Sequence, residues 1–139
     1  MSSLNNNTTF DEVYDIFMSI TKVDKYSLPA TDERRYSLIN VGRMRYNARK
    51  FDNIQQDNLA EQFDRILKDE EKLLLAHFMS LITYENMVSE FASMISVETK
   101  DNALKDYKAQ LTGRQALVES ENQVIKQMLL STIGDVDYE

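Results

Sequence analysis

Few residues in this chain could do chemistry. His77 is the sole histidine and cysteine is absent, so paired-histidine metal sites, thiol catalysis, disulfides and cysteine-ligated zinc are excluded. His77 shares a helical stripe with Leu73, Leu81, Tyr84 and Val88 in the most apolar part of the chain. There it reads as a buried structural histidine with a polar partner, not as a base or a ligand. Asp135, Asp137 and Glu139 alternate as cation ligands can. A calcium loop, however, takes about a dozen residues with a turn glycine among them, so this segment reads as a solvated tail. Asp69, Glu70 and Glu71 stand where a helix N-terminus favours negative charge, which explains them better than a paired-carboxylate site. The three glycines, Gly42, Gly113 and Gly134, cannot build a phosphate-cradling loop or a nucleophile elbow. The expectation is a protein that is not an enzyme and needs no cofactor or metal.

Charge carries more information. Between Arg34 and Lys50 lie Arg34, Arg35, Arg43, Arg45, Arg49 and Lys50, with no acid among them. That segment is +6 in a chain of net −7, so the remainder sums to −13. Arg35, Arg43, Arg45, Arg49 and Lys50 are therefore candidate protein-interface residues, together with Asp135, Asp137 and Tyr138 of the tail. Their alternative is a solvated face paired with the acids of residues 52–71. Six cations could also hold DNA, since affinity grows with each neutralised phosphate. The surrounding −13 and the lack of a recognition-helix motif favour a protein partner.

These residues must be positioned by helices. Thr9 and Glu12 fit a capping box, and Phe10, Val13, Tyr14 and Phe17 follow at helical spacing. Thr31 can cap a second helix, with Asp32 and Glu33 in its first turn. Val41, Met44, Ala48 and Phe51 share one face of it and are expected to meet the core, turning Arg35, Arg43 and Lys50 outward. Leu59, Phe63, Ile66 and Leu67 predict a short helical turn or two. From Leu73 to Ile82 apolar residues run almost unbroken, so a central helix opening at Asp69 is expected to be buried on all sides. Residues 93–101 read as a loop. A long final helix follows, with Leu104, Leu111, Val118 and Ile125 seven apart and Gly134 as its stop signal. Arg114, Gln115, Glu121 and Asn122 interrupt the second seam that a coiled coil would need.

The expected fold is all-α: a single-domain helical bundle over residues 1–139 with about four main helices. They fall near 10–20, 31–51, 69–92 and 103–132, the third a buried central helix and the last a long C-terminal one. Residues 1–8 form a polar arm and 134–139 an acidic tail. The polar first residues predict no signal peptide, and the apolar run is about half the ~20 residues of a membrane span.

The order of these features resembles a known family. A short aromatic helix with Phe10, Tyr14 and Phe17 precedes a basic helix closing on Phe51 and a lead-in of Phe63 and Leu67. Acidic residues then open an apolar helix holding Leu74 to Ala76 and Met79. Lys100, Asp101, Tyr107, Ala109 and Leu111 open the last helix, and a tyrosine-containing tail ends it. Over residues 10–138 the chain is similar to the head-to-tail connector (neck or adaptor) proteins of tailed bacteriophages. It departs from them at Lys68, where relatives place a threonine cap, and at Asn102, where they place an aromatic residue; it also lacks their late central tryptophan. The resemblance implies a structural virion part, made in the host bacterial cytoplasm, that forms a ring between portal and tail. Its implied partners are other copies of itself, usually twelve on the portal side, the portal protein and a neighbouring neck or tail protein. DNA would pass without specific binding, and no membrane is involved. The alternative is a small cytoplasmic helical adaptor or regulator that binds a partner protein or, less favoured, DNA.

Overall fold

The computed structural model describes residues 6–24, 28–95 and 101–137, with side chains described for all of these except 94–95, 101–105 and 132–137. Its elements are helix α1 (Phe10–Ile20), helix α2 (Asp32–Lys50), strands β1 (Gln56–Asp57) and β2 (Gln62–Phe63), helix α3 (Asp69–Ile95) and helix α4 (Asp101–Asp137). The protein is all-α apart from this small hairpin. Two compact units divide it, Met1–Ser80 and Leu81–Glu139, and α3 contributes residues to each.

The first unit is built on local caps. The Thr9–Glu12 capping box closes, with Thr9 N–H donating to Glu12 Oε2 at 2.8 Å and Glu12 N–H to Thr9 Oγ1 at 3.3 Å. Phe10, Val13, Tyr14 and Phe17 are buried, and the Phe10 ring meets Phe63 edge-on at 5.1 Å. Ahead of the helix, Thr8 ties the chain to residues far along the sequence. Its N–H donates to the Arg65 carbonyl at 3.1 Å, its carbonyl accepts from Phe63 N–H at 2.9 Å, and its buried hydroxyl accepts from Leu67 N–H at 2.8 Å. Glu71 reaches back to the Lys68 N–H at 2.8 Å, so α3 keeps one half of a capping box although Lys68 itself offers no hydroxyl.

Residues 56–63 correct the expected helical turns. The strands pair antiparallel, Gln56 with Phe63 and Asp57 with Gln62. The Asp57 carboxylate accepts from the N–H groups of Leu59 and Ala60 at 3.0 and 3.2 Å, a local competitor to helix that short acidic side chains favour. Phe63 and Leu67 are buried, while Leu59 is 97% and Ile66 is 66% exposed.

Helix α2 corrects a second expectation. Its buried residues are Leu38, Ile39, Gly42 and Tyr46, whereas Met44 is 55% and Phe51 is 97% exposed, Ala48 is exposed and Val41 half-buried. Gly42 explains the choice of face. A Cβ built there would lie 2.8 Å from Met79 Cγ, closer than packing tolerates, so only glycine lets α2 approach α3 this closely. Tyr46 then drops fully into the core and meets Phe78 edge-on at 6.4 Å.

Within α3, Leu74, Leu75, Ala76, Phe78, Met79, Ser80, Leu81, Ile82, Thr83 and Tyr84 are buried. Leu73 is 37% exposed and His77 half-buried, so the burial expected on all sides leaves one edge open. The helix continues past Phe91 to Ile95, and residues 96–100 of the expected loop lie outside the described residues.

In the second unit, Phe91 and Tyr107 stack at 4.8 Å and the Arg114 guanidinium lies 4.1 Å over the Phe91 ring. Glu121, Ile125 and Leu129 are the buried side of α4. This helix does not stop before Gly134 but runs through it to Asp137. No glycine among the described residues has a positive φ; without the left-handed turn that makes glycine a stop, Gly134 only weakens the helix.

Candidate interaction surface

Two facts about α2 define its candidate surface: which cations the molecule itself uses, and which apolar residues it leaves outside. Thr31 accepts from Arg34 N–H at 3.2 Å and starts the helix. Arg35 is tied to Asp32 one turn back, and its guanidinium lies 5.6 Å over the Tyr14 ring. Arg43 is held by its own chain. It donates to the Ile54 carbonyl at 2.8 Å, to Asn40 Oδ1 at 2.7 Å and to Gln56 Oε1 at 3.0 Å. Arg43 therefore fastens the connector after α2 to the helix rather than facing away from the core. Arg45 and Lys50 are half-buried and Arg49 is exposed. The side chains of Asp135 and Asp137, and all of Tyr138, lie outside the described residues.

Met44, Ala48 and Phe51 recur at helical spacing and are exposed throughout. Sequence reasoning found these three by their spacing but gave them to the core; as surface residues they were missed. Phe51 is also conformationally unusual. It caps α2 in the left-handed region, at φ 53° and ψ 44°, with its N–H on the Asn47 carbonyl. A side chain there costs about 1–2 kcal/mol that glycine would not. An exposed phenyl ring on a strained backbone recovers none of that within its own unit. Phe51 precedes Asp52, which accepts from Arg65 Nη1 at 2.9 Å, and Arg65 precedes the exposed Ile66. Arg65 also donates to Asp64 at 2.9 Å and holds that carboxyl below its usual range. The apolar line thus ends beside a fixed loop.

Tyr46 anchors the opposite side of α2. Its hydroxyl donates to Glu71 Oε2 at 3.4 Å. Burial above all, with the charges of Glu71 and Asp52, pushes its pKa well above the ordinary 10.0. A raised pKa means a stabilising contribution that is complete below about pH 10 and falls away as pH climbs from there toward the folded value. Tyr14 is shifted the same way, by burial against an opposing Arg35. Tyr46→Phe is therefore expected to flatten part of the alkaline loss, seen as a smaller fall in urea midpoint above about pH 10 than in the unmodified chain. An unchanged alkaline limb would place the titration elsewhere.

Among the described residues no group of three or more acidic or histidine side chains stands together as metal ligands, and no helix is long and apolar enough to cross a membrane. No solved structure matches the chain. It is similar to the SPbeta prophage-derived uncharacterized protein YomZ of Bacillus subtilis (strain 168), with 27% identity over 128 residues, which cover 92% of this chain and 98% of the relative. The family model described as YomZ prophage protein matches residues 7–134, from the Thr8 tie to the last turn of α4. The chain therefore belongs to the YomZ prophage protein family.

Proposed function

We propose that this prophage-family protein is a structural virion component, a head-to-tail connector that forms a ring between the portal and the tail. The observation that supports the reading is helix α2, which leaves Met44, Ala48 and Phe51 exposed and, on another side, Arg49. A ring subunit needs two different side surfaces that meet around the circle. The basic segment of α2, less Arg35 and Arg43 that the chain itself engages, in a chain of net −7, supports two such sides by charge. The acidic remainder would also repel DNA passing through the lumen. In this reading the chain works by assembly alone, touching its own copies, the portal and the next neck or tail protein.

Protein analysis of purified particles tests it. The chain is expected in the neck of intact virions, and deleting its gene is expected to leave filled heads without tails. Its absence from purified particles would end the reading. The same exposed line on α2 also suits a helical adaptor that docks one helix of a partner in a groove. A stoichiometric complex outside the particle would favour that alternative.

A further inference from the structure

We infer that the N-terminal arm of this chain closes as a strap, with Leu4 seated on Ile66 of the same chain. Residues 1–5 lie outside the described residues, but the place from which they leave is fixed. Thr8 N–H donates to the Arg65 carbonyl at 3.1 Å, so the peptide joining Asn7 to Thr8 lies against the peptide joining Arg65 to Ile66. The Thr8 hydroxyl accepts from the Leu67 N–H at 2.8 Å, one residue past Ile66. Thr8 therefore holds the chain on both sides of Ile66, and the arm departs from that point.

Ile66 is the apolar residue of this segment that stays open. Phe63 and Leu67 are 1% and 3% exposed, whereas Ile66 is 66% exposed. The arm carries a residue to match it. From Ser2 to Thr9 every residue is polar except Leu4. Leu4 stands three residues before Asn7, a reach of up to about 11 Å. Ile66 falls well within it, because the carbonyl that Thr8 holds is bonded directly to the Ile66 nitrogen. Asn7 is already half-buried, so Asn5 and Asn6 are what remains to be ordered, and closing so short a loop spends little entropy. Seating Leu4 on Ile66 takes apolar surface of both out of water.

In that position the strap lies over the two Thr8 bonds and slows their opening. A partner that binds Ile66 must first lift Leu4, which loosens the start of α1. The inference does not depend on the connector reading.

Nuclear magnetic resonance of the full-length chain with labelled methyl groups tests it. A nuclear Overhauser contact between the Leu4 and Ile66 methyls is expected in dilute solution. It should vanish when chains labelled only at leucine are mixed with chains labelled only at isoleucine, since each arm serves its own chain. A contact that survives mixing overturns the inference and gives the arm to a second copy; no contact in the unmixed sample overturns it outright. Hydrogen exchange at the Thr8 and Leu67 amides is the second readout. Leu4→Ser and Ile66→Ser should each speed it about three- to tenfold, with little change in melting temperature because both substitutions spare the core. The chain carrying both should go no further than either alone, since the two remove one contact. Effects that add, or unchanged exchange in Leu4→Ser, would show that Leu4 does not cover Ile66.

Discussion

Phe78→Ala is expected to lower the unfolding free energy by about 3–5 kcal/mol, the range for emptying a large aromatic core site. Phe78 is 1% exposed, and its ring faces the edge of Tyr46. Both neighbours of the site are rigidly placed, Tyr46 by its Glu71 contact and α3 by its passage against Gly42. The cavity therefore cannot collapse cheaply. Urea denaturation followed by circular dichroism measures the loss, and a value within about 1 kcal/mol of zero would contradict the packing. Leu59→Ser, at the 97% exposed hairpin tip, is the matching control, expected to stay within about 0.5 kcal/mol of the unmodified chain.

The second large effect concerns a polar residue. Asn47 imitates a strand partner for Ile54: its Nδ2 donates to the Ile54 carbonyl at 2.9 Å, and its Oδ1 accepts from the Ile54 N–H at 3.1 Å. Ile54 is fully buried, so water cannot replace these bonds. In Asn47→Ala the carbonyl keeps Arg43, but the N–H is orphaned, at a cost of about 1–3 kcal/mol. Deep burial puts the expected value in the upper half of that range. Hydrogen exchange at the Ile54 amide should accelerate in step with the loss of stability. Asn47→Asp gives a further check, since it keeps the acceptor for the N–H yet sets a carboxylate against the carbonyl, and should fall between the two. Equal stability of Asn47→Ala and the unmodified chain would show that this amide finds another partner.

The two effects divide along what a sequence displays. The all-α class and the helix starts were legible because their signals are local: Thr9 and Glu12 three apart, Thr31 before acids, an apolar run after Asp69. Phe78 and Leu74 were legible as core for the same reason. The face of α2 was not. Its apolar line of Met44, Ala48 and Phe51 follows the helical period as well as any buried stripe, and the competing face is broken by Gly42. What decided burial was the fit of a glycine against Met79 and of an asparagine against a backbone seven residues further along the chain. Neither leaves a periodic trace. Arg43 was misjudged for that reason too: a cation in a basic segment looks available until the carbonyl it holds is located. The hairpin hid behind Leu59 and Ile66, whose spacing imitates a helix while their side chains stand in solvent.

The Thr8 tie governs the order in which the first unit can form. Its hydroxyl waits for the amide of Leu67, fifty-nine residues later in the chain, and its backbone waits for Phe63 and Arg65. Contacts of such sequence separation are slow to form, because loop-closure entropy is spent before they contribute. On the ribosome, synthesised at roughly 5–20 residues per second, α1 emerges several seconds before the residues that fix its start. Until then Phe10 lacks the Phe63 ring that it meets in the folded unit. The nascent chain therefore carries an open aromatic segment, too short to hold a helix alone, until the arrival of Leu67 lets its start be locked.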